Sequence, residues 1–337
     1  MQHAPMLESR SEEVMSKTHA YPEPFVVPPR QEHTHSFILL HGRGSNGEKF
    51  GVELLKTRTG TSNSEPADMP VKGGILQHAC PGTKFIFPTA KKRRARWYKR
   101  ASINQWFDGV PIDAQEDGVT KDQEEWQLEG LRESRAFLKT IVDLEVNAVG
   151  AGNVFVGGMS QGCAMALHFL MSYEGADENG RACSDVPHLG CFVGMSGWLP
   201  FQDDIMSELA PIDPGEDDED LFATSDDEHD GQIDNMGLFE HDADGSSERS
   251  PATRVCNLVR DNMDLPPIAS SSPLCLSTPV FLGHGRSDEK VNMERGVQAA
   301  DALRQMGMQV TWKDYDEGHW YKVPQEIEDI VRFLDDL

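Results

Sequence analysis

The chain has 337 residues, 38% of them hydrophobic, and a formal net charge of −25, an acidity that argues against a surface field able to gather nucleic acid. Its six cysteines contain no CxxC pair, so neither a zinc site nor a small disulfide scaffold is indicated. No run reaches the roughly 18 apolar residues of a membrane span, and the first 29 residues lack an apolar signal core, so no stable membrane insertion and a cytoplasmic protein with reduced thiols are expected.

Residues 1–30 are polar and end in a Pro-rich stretch, and they read as a flexible tail ahead of a single domain over 31–337. From residue 36 a theme repeats in short β-rich runs bounded by Gly or Pro: SFILL (36–40), KFIFP (84–88), NVFVGG (153–158), CFVGMSG (191–197), PVFLGHG (279–285) and QVTWKDY (309–315). Between them the apolar spacing predicts helices over 123–146, 161–173, 289–306 and 324–336. Strands alternating with helices, several of the strands apolar throughout, imply an α/β fold with a mainly parallel central sheet covered on both faces.

Two stretches interrupt the theme. Residues 90–100, AKKRRARWYKR, carry seven cations and resemble a basic nuclear localisation signal, or else form a solvated loop beside the site. Residues 203–272 read as an acidic and then Ser/Pro-rich low-complexity insertion without order of its own, with fourteen carboxylates and no Lys or Arg over 213–244.

The chemistry concentrates at Gly158-Met159-Ser160-Gln161-Gly162, which follows an apolar strand and opens an Ala- and Met-rich helix. A Gly-x-Ser-x-Gly match is short and weak by itself. In a strand–turn–helix setting it is a nucleophile elbow, because flanking glycines admit the sharp turn that projects a serine hydroxyl out of the sheet. Serine needs a base to take its proton and a third group to orient that base. Where such an elbow occurs, acid and base follow in order on later strand ends. Asp288 leaves the strand PVFLGHG and His319 leaves the next one. Asp288 as a helix cap and His319 as a turn residue are the structural alternatives, while His41 and His284, each a His-Gly at a strand end, are read as loop-orienting. An oxyanion hole needs backbone N–H groups from the residue after the nucleophile, Gln161, and from the glycine-rich loop HGRGSNG, where Arg43 is the donor expected.

ILLHGRGSNG, FIFPTA, QWFDG, VGGMSQGCAMAL, GMSGWLP, PVFLGHGRSDEKV and YDEGHW resemble, in that order, the acyl-protein thioesterase / phospholipase-carboxylesterase family of serine hydrolases, over about 36–200 and 276–335. The resemblance implies an α/β-hydrolase fold with no cofactor or metal, and an acyl-enzyme mechanism on small-molecule or protein-borne esters or thioesters. It implies Ser160 as nucleophile, Asp288 as acid, His319 as base, Arg43 and Gln161 as oxyanion donors, and Trp106, Trp198 and Leu199 lining the substrate cleft. The chain departs from the family in reading His-Gly-Arg-Gly where His-Gly-Leu-Gly is common, which sets a cation beside the acyl site. A catalytically silent binding protein on the same fold is the alternative, against which the complete Ser–Asp–His set speaks.

Overall fold

The computed structural model describes residues 21–58, 74–115, 118–175, 188–211, 249–268 and 272–337. Seven strands form one sheet: β1 (Phe25–Val27), β2 (His35–Leu40), β3 (Thr83–Phe87), β6 (Val154–Met159), β7 (Cys191–Met195), β8 (Val280–Gly285) and β9 (Val310–Tyr315), in the order β1-β3-β2-β6-β7-β8-β9. All neighbours are parallel except β1, which runs antiparallel to β3. A second, two-stranded sheet pairs β4 (Lys92–Ala95) with β5 (Ala101–Asn104).

Helices cover both faces of the large sheet, so its central strands are buried on both sides and read as continuous apolar runs. Along β2, Ile38 and Leu40 enter one core cluster while Phe37 and Leu39 enter the other, the period-two alternation of a strand. The first cluster holds α3 (Lys121–Val149), α4 (Gln161–Ser172), α6 (Pro251–Asn262) and α7 (Met293–Gln305) against the sheet. The second packs α1 (Gly47–Leu55), α2 (Ile75–Ala79) and α8 (Gln325–Asp335) on the opposite face. α5 (Gln202–Leu209) adds Ile205 and Leu209 to the first cluster.

Local signals explain the ends. Asn46 caps α1 through Lys49 N–H, Ser250 caps α6 ahead of Pro251, and Thr120 with Gln123 closes a capping box at the start of α3. These caps satisfy N–H groups that a helix start leaves without partners.

Three expectations need correction. The proposed tail reaches only to residue 20 at most, since β1 joins the sheet, Tyr21 stacks on Phe137 with ring centroids 3.9 Å apart, and Arg30 N–H bonds the Pro81 carbonyl. A three-residue strand between prolines is too short to show alternation, and proline confines it to an edge. The two ends of the supposed insertion are ordered helices, α5 and α6, with Val255, Cys256 and Val259 fully buried. Arg260 ties α6 to the core by donating to Ser172 O at 2.9 Å and pairing with Glu174 at 2.9 Å. The acidic run, 213–244, falls within 212–248, which with residues 1–20 lies outside the described residues. The basic run is the hairpin β4–β5 rather than an open loop, because Lys91 and Arg93 pair with Glu133 of α3 and Asp108 accepts the Arg96 N–H.

Candidate active site

β6 runs straight into α4 through Ser160, whose backbone sits at φ 54° and ψ −123°. A non-glycine residue there costs roughly 1–3 kcal/mol and is held only where its surroundings fix it. Met195 O accepts the Ser160 N–H at 2.9 Å, and Ser160 O accepts the Ala164 N–H at 3.1 Å. The flanking glycines are required by close approach: a Cβ on Gly158 would lie 2.7 Å from Leu40 O, and one on Gly162 only 2.3 Å from the same oxygen. β2 and the elbow are thereby pressed together, and Gly42 at the end of β2 stands beside the Ser160 side chain.

Ser160 Oγ lies 3.0 Å from His319 Nε2, and His319 Nδ1 lies 2.8 and 2.9 Å from the two Asp288 oxygens. An ionised carboxylate only accepts, so Nδ1 carries the proton and Nε2 is left to accept from the serine hydroxyl. Asp288 is set by its own loop, with Oδ1 accepting the N–H groups of Lys290 at 2.9 Å and Val291 at 2.8 Å. Burial works against its charge, but hydrogen bonds from His284, His319 and Val291 outweigh that and hold the carboxyl well below the usual range. The three residues come from the ends of β6, β8 and β9, all at the carboxyl edge of the sheet, where ligands bind in open parallel folds.

The base competitors are occupied elsewhere. His41 is fully buried; its Nδ1 donates to Gly42 O at 2.7 Å and its Nε2 accepts the Ala90 N–H at 3.0 Å. Burial pushes its pKa down to about 4, in keeping with a neutral ring that braces the loop after β2. His284 Nε2 meets Val291 O at 2.8 Å and Asp288 Oδ2 at 3.3 Å, behind the acid and away from the serine. Cys163, one turn after Ser160, is sealed in the core, and burial raises its thiol to about 12, so it offers no competing nucleophile.

A cleft of about 540 Å³ opens over Ser160 and His319, lined also by Gly42, Arg43, Gln161, Trp198, Tyr98 and Trp320. Gln161 is the first residue of α4, so its N–H has no intrahelical acceptor and lies beside the Arg43 loop. The cleft rim carries cations, Arg43, Lys49 and Lys290, together with Glu53 and Asp113.

Residues 72–213 match the model of the phospholipase/carboxylesterase family. The chain resembles that family over this stretch, which is less than half of its length. It is similar to acyl-protein thioesterase 1 of Gibberella zeae, 22% identical over 92% of this chain and 94% of that protein. It also resembles acyl-protein thioesterase 1 of Yarrowia lipolytica, 29% identical over 54% of this chain and 65% of that one. Among solved structures, the crystal structure of Zea mays acyl-protein thioesterase 2 superposes with a TM-score of 0.56 at 22% identity, covering 94% of this chain and 99% of that one, a likeness of fold.

Within this site, two of the proposed cleft residues belong elsewhere. Trp106 does not line the cleft: it is fully buried, and its indole N–H donates to His41 O at 2.8 Å. An apolar body with one donor fits a core site that has one carbonyl to satisfy. Leu199 lines a smaller neighbouring cavity with Phe201 and Arg295, because the turn after Trp198 carries it away from Ser160. Trp198 alone of the three lines the main cleft.

The sequence reading missed a supporting frame. The Gln161 side chain accepts the Trp106 N–H at 3.0 Å and donates to Phe107 O at 2.8 Å, so one amide clamps QWFDG onto the elbow. Asn104, at the end of β5, donates to Ser45 O at 2.8 Å while its own carbonyl accepts the Gly44 N–H at 2.8 Å. The basic hairpin is thus fastened to the Arg43 loop, and the Arg43 guanidinium lies 6.0 Å over the Tyr98 ring. Exposed Trp97 and Tyr98 inside a run of cations were the visible signal of a hairpin tip.

Proposed function

We propose that the protein is a serine hydrolase that cleaves carboxylic esters or thioesters through an acyl-enzyme. The observation that carries the reading is the continuous chain Ser160–His319–Asp288, with contacts of 3.0 and 2.8 Å. In the reaction His319 Nε2 takes the hydroxyl proton as Ser160 Oγ attacks the acyl carbonyl, and Asp288 stabilises the imidazolium that results. The N–H groups of Gln161 and Arg43 receive the oxyanion. Collapse of the tetrahedral intermediate breaks the ester or thioester bond, and His319 gives its proton to the leaving alkoxide or thiolate. Water then repeats the sequence on the acyl-enzyme, releasing the free acid and restoring the serine.

The names of the relatives, acyl-protein thioesterases over nearly the whole chain, support acyl substrates. The cleft supports a shorter or more polar acyl group than an all-apolar tunnel would, since Arg43 stands in its wall.

Steady-state kinetics on p-nitrophenyl esters from acetate to palmitate, beside acetyl- and palmitoyl-thioesters, test the reading with wild type and Ser160→Ala. The expected result is turnover by wild type and a loss of about 10⁴-fold or more in kcat in the variant, which retains only binding and oxyanion effects. Equal turnover by the two proteins overturns it.

A further inference from the structure

His319 is carried by the loop between β9 and α8, and the end of that loop closes on a buried carboxyl. Glu326, in the first turn of α8, is 1% exposed. Its Oε2 accepts the Lys322 N–H at 2.8 Å, and its own N–H donates to Lys322 O at 3.0 Å, so residue and loop are joined twice. The second oxygen, Oε1, has no hydrogen-bond partner among the described residues. It presses on β8 where Gly283 leaves room: a Cβ at that position would lie 2.2 Å from it. Gly283 immediately precedes His284, which backs Asp288, and its carbonyl accepts the Ser196 N–H at 2.8 Å. One carboxyl therefore touches both the strand that leads to the acid and the loop that bears the base.

The groups around Glu326 are mostly acidic. Asp329 faces it from α8 and Glu317 from the loop, and Tyr315 on β9 donates its hydroxyl to Asp329 at 2.9 Å. The nearby cations are engaged elsewhere: Lys322 Nζ with Asp316 O at 2.7 Å and Glu317 at 3.3 Å, Arg332 with Asp329 at 2.7 Å. Among the described residues no cation is recorded as pairing with Glu326. An isolated buried carboxylate is strongly disfavoured, whereas a neutral carboxyl with one accepted N–H is tolerable.

We propose that Glu326 is a positioning residue that keeps His319 in register with Asp288 and Ser160 only while its carboxyl is protonated. The inference rests on the hydrolase reading above. Burial foremost, with Asp329 and Glu317 adding to it and the Lys322 N–H opposing, pushes the Glu326 pKa up to about 8. Below that pH the neutral acid fits against Gly283 and caps Lys322. Above it the proton leaves to solvent, and the charge is relieved by moving toward water, taking the Lys322 amide and the His319 loop with it. A base must lie within about 2.6–3.2 Å of the proton it removes, so a small displacement of His319 from Ser160 is felt in turnover.

The sign for stability is as follows. The folded pKa lies above the ordinary 4.5, so the folded state holds the extra proton between those values. Stability contributed by this group therefore falls as pH rises from about 4.5 to about 8 and changes no further beyond.

The test is the pH profile of kcat and KM on p-nitrophenyl butyrate from pH 6 to 10, corrected for spontaneous hydrolysis. Wild type is expected to lose kcat along an alkaline limb centred near pH 8, with KM within about twofold. Glu326→Gln keeps an acceptor for Lys322 N–H and cannot ionise, so its limb moves up by more than one pH unit. Asp329→Asn removes a neighbouring negative charge, lowers the Glu326 pKa and moves the limb to lower pH; it also carries the test by itself if Glu326→Gln does not fold. A burial role alone would leave the limb in place in both variants. An active wild type whose alkaline limb neither variant moves overturns this inference alone, whereas a wild type inactive at every pH overturns the hydrolase reading and this inference with it.

Discussion

His284 stands directly behind Asp288, its Nε2 3.3 Å from Asp288 Oδ2 and 2.8 Å from the Val291 carbonyl that closes the same loop. One ring N–H is shared between the acid and the backbone of the turn that presents it. α7 meets the ring with a glycine, and a Cβ on Gly296 would lie 2.4 Å from His284 Nδ1, so the helix packs closely on the imidazole.

His284→Ala should therefore weaken both the fold and the chemistry, but unequally. Removing a buried ring leaves a cavity and an unpaired Val291 carbonyl, a cost of about 2 kcal/mol or more. Asp288 keeps its bonds to Lys290, Val291 and His319, so kcat should fall about 10-fold, roughly the loss of one hydrogen bond to a charge. Urea unfolding and steady-state kinetics on the same preparation separate the two effects. A kcat loss as large as that of His319→Ala would show that His284 takes part in proton transfer.

Trp106→Phe keeps most of the buried ring and deletes one donor. The His41 carbonyl, which precedes Gly42 and Arg43, would lose its bond to the indole N–H. If this bond shapes the oxyanion loop, kcat should fall about 10-fold with KM little changed, the pattern of a contact felt in the transition state. A rise in KM with kcat intact would instead return Trp106 to the substrate cleft.

Arg43→Leu addresses acyl selectivity. The Arg43 side chain lines the cleft and lies over Tyr98 of the basic hairpin. A cation desolvated by an alkyl chain is unfavourable, so the ratio of kcat/KM for octanoate over acetate esters should rise by about 10-fold in the variant. Tyr98→Ala, which frees the guanidinium without removing it, should change that ratio less. The same ratio in Arg43→Leu and wild type would place the guanidinium outside the acyl path.

Six strands of the large sheet, and the three residues that meet over the cleft, were legible because each sits in a recognisable local pattern at a strand end. FILL, VFVGG and VFLGHG are apolar on both faces, and the glycines around Ser160 have one steric explanation. What the sequence concealed depends on contacts distant in the chain. β1 has three residues and no periodicity. The helix α6 sits in a Ser/Pro-rich setting, and its buried face of Val255, Cys256 and Val259 meets α4 and α5 across the fold. Trp106 was assigned to the cleft from its neighbourhood, yet its position is decided by the Gln161 amide 55 residues away. Leu199 follows Trp198 by one residue, yet Trp198 borders both the main cleft and the smaller cavity while Leu199 borders only the smaller one. Glu326 carries no motif, and only burial distinguishes it from the other acids of α8.

His168, on the nucleophile helix, offers a stability test independent of catalysis. It is fully buried, and neither ring nitrogen reaches a partner among the described residues. Burial lowers its pKa to about 3 from 6.5. The unfolded chain therefore binds more protons between those values, and stability falls as pH drops from about 6.5 toward 3. His168→Leu should gain about 1–3 kcal/mol at pH 7 by removing an unsatisfied polar ring, and about 2 kcal/mol more at pH 5. Urea titrations of both proteins at the two pH values read this directly. A destabilised variant, or a gain independent of pH, would mean that the imidazole is hydrogen-bonded in solution.

The central claim, that Ser160 is a nucleophile activated by His319, is tested most directly by the site and rate of covalent capture. The protein is treated with a fluorophosphonate at pH 7 and the adduct is located by peptide mass spectrometry. The account predicts one adduct per chain, on the peptide bearing Ser160. It also predicts no adduct in Ser160→Ala and labelling slowed by at least about 10³-fold in His319→Ala, where the hydroxyl has lost its base. An adduct on another residue, or labelling of His319→Ala at the wild-type rate, would contradict it.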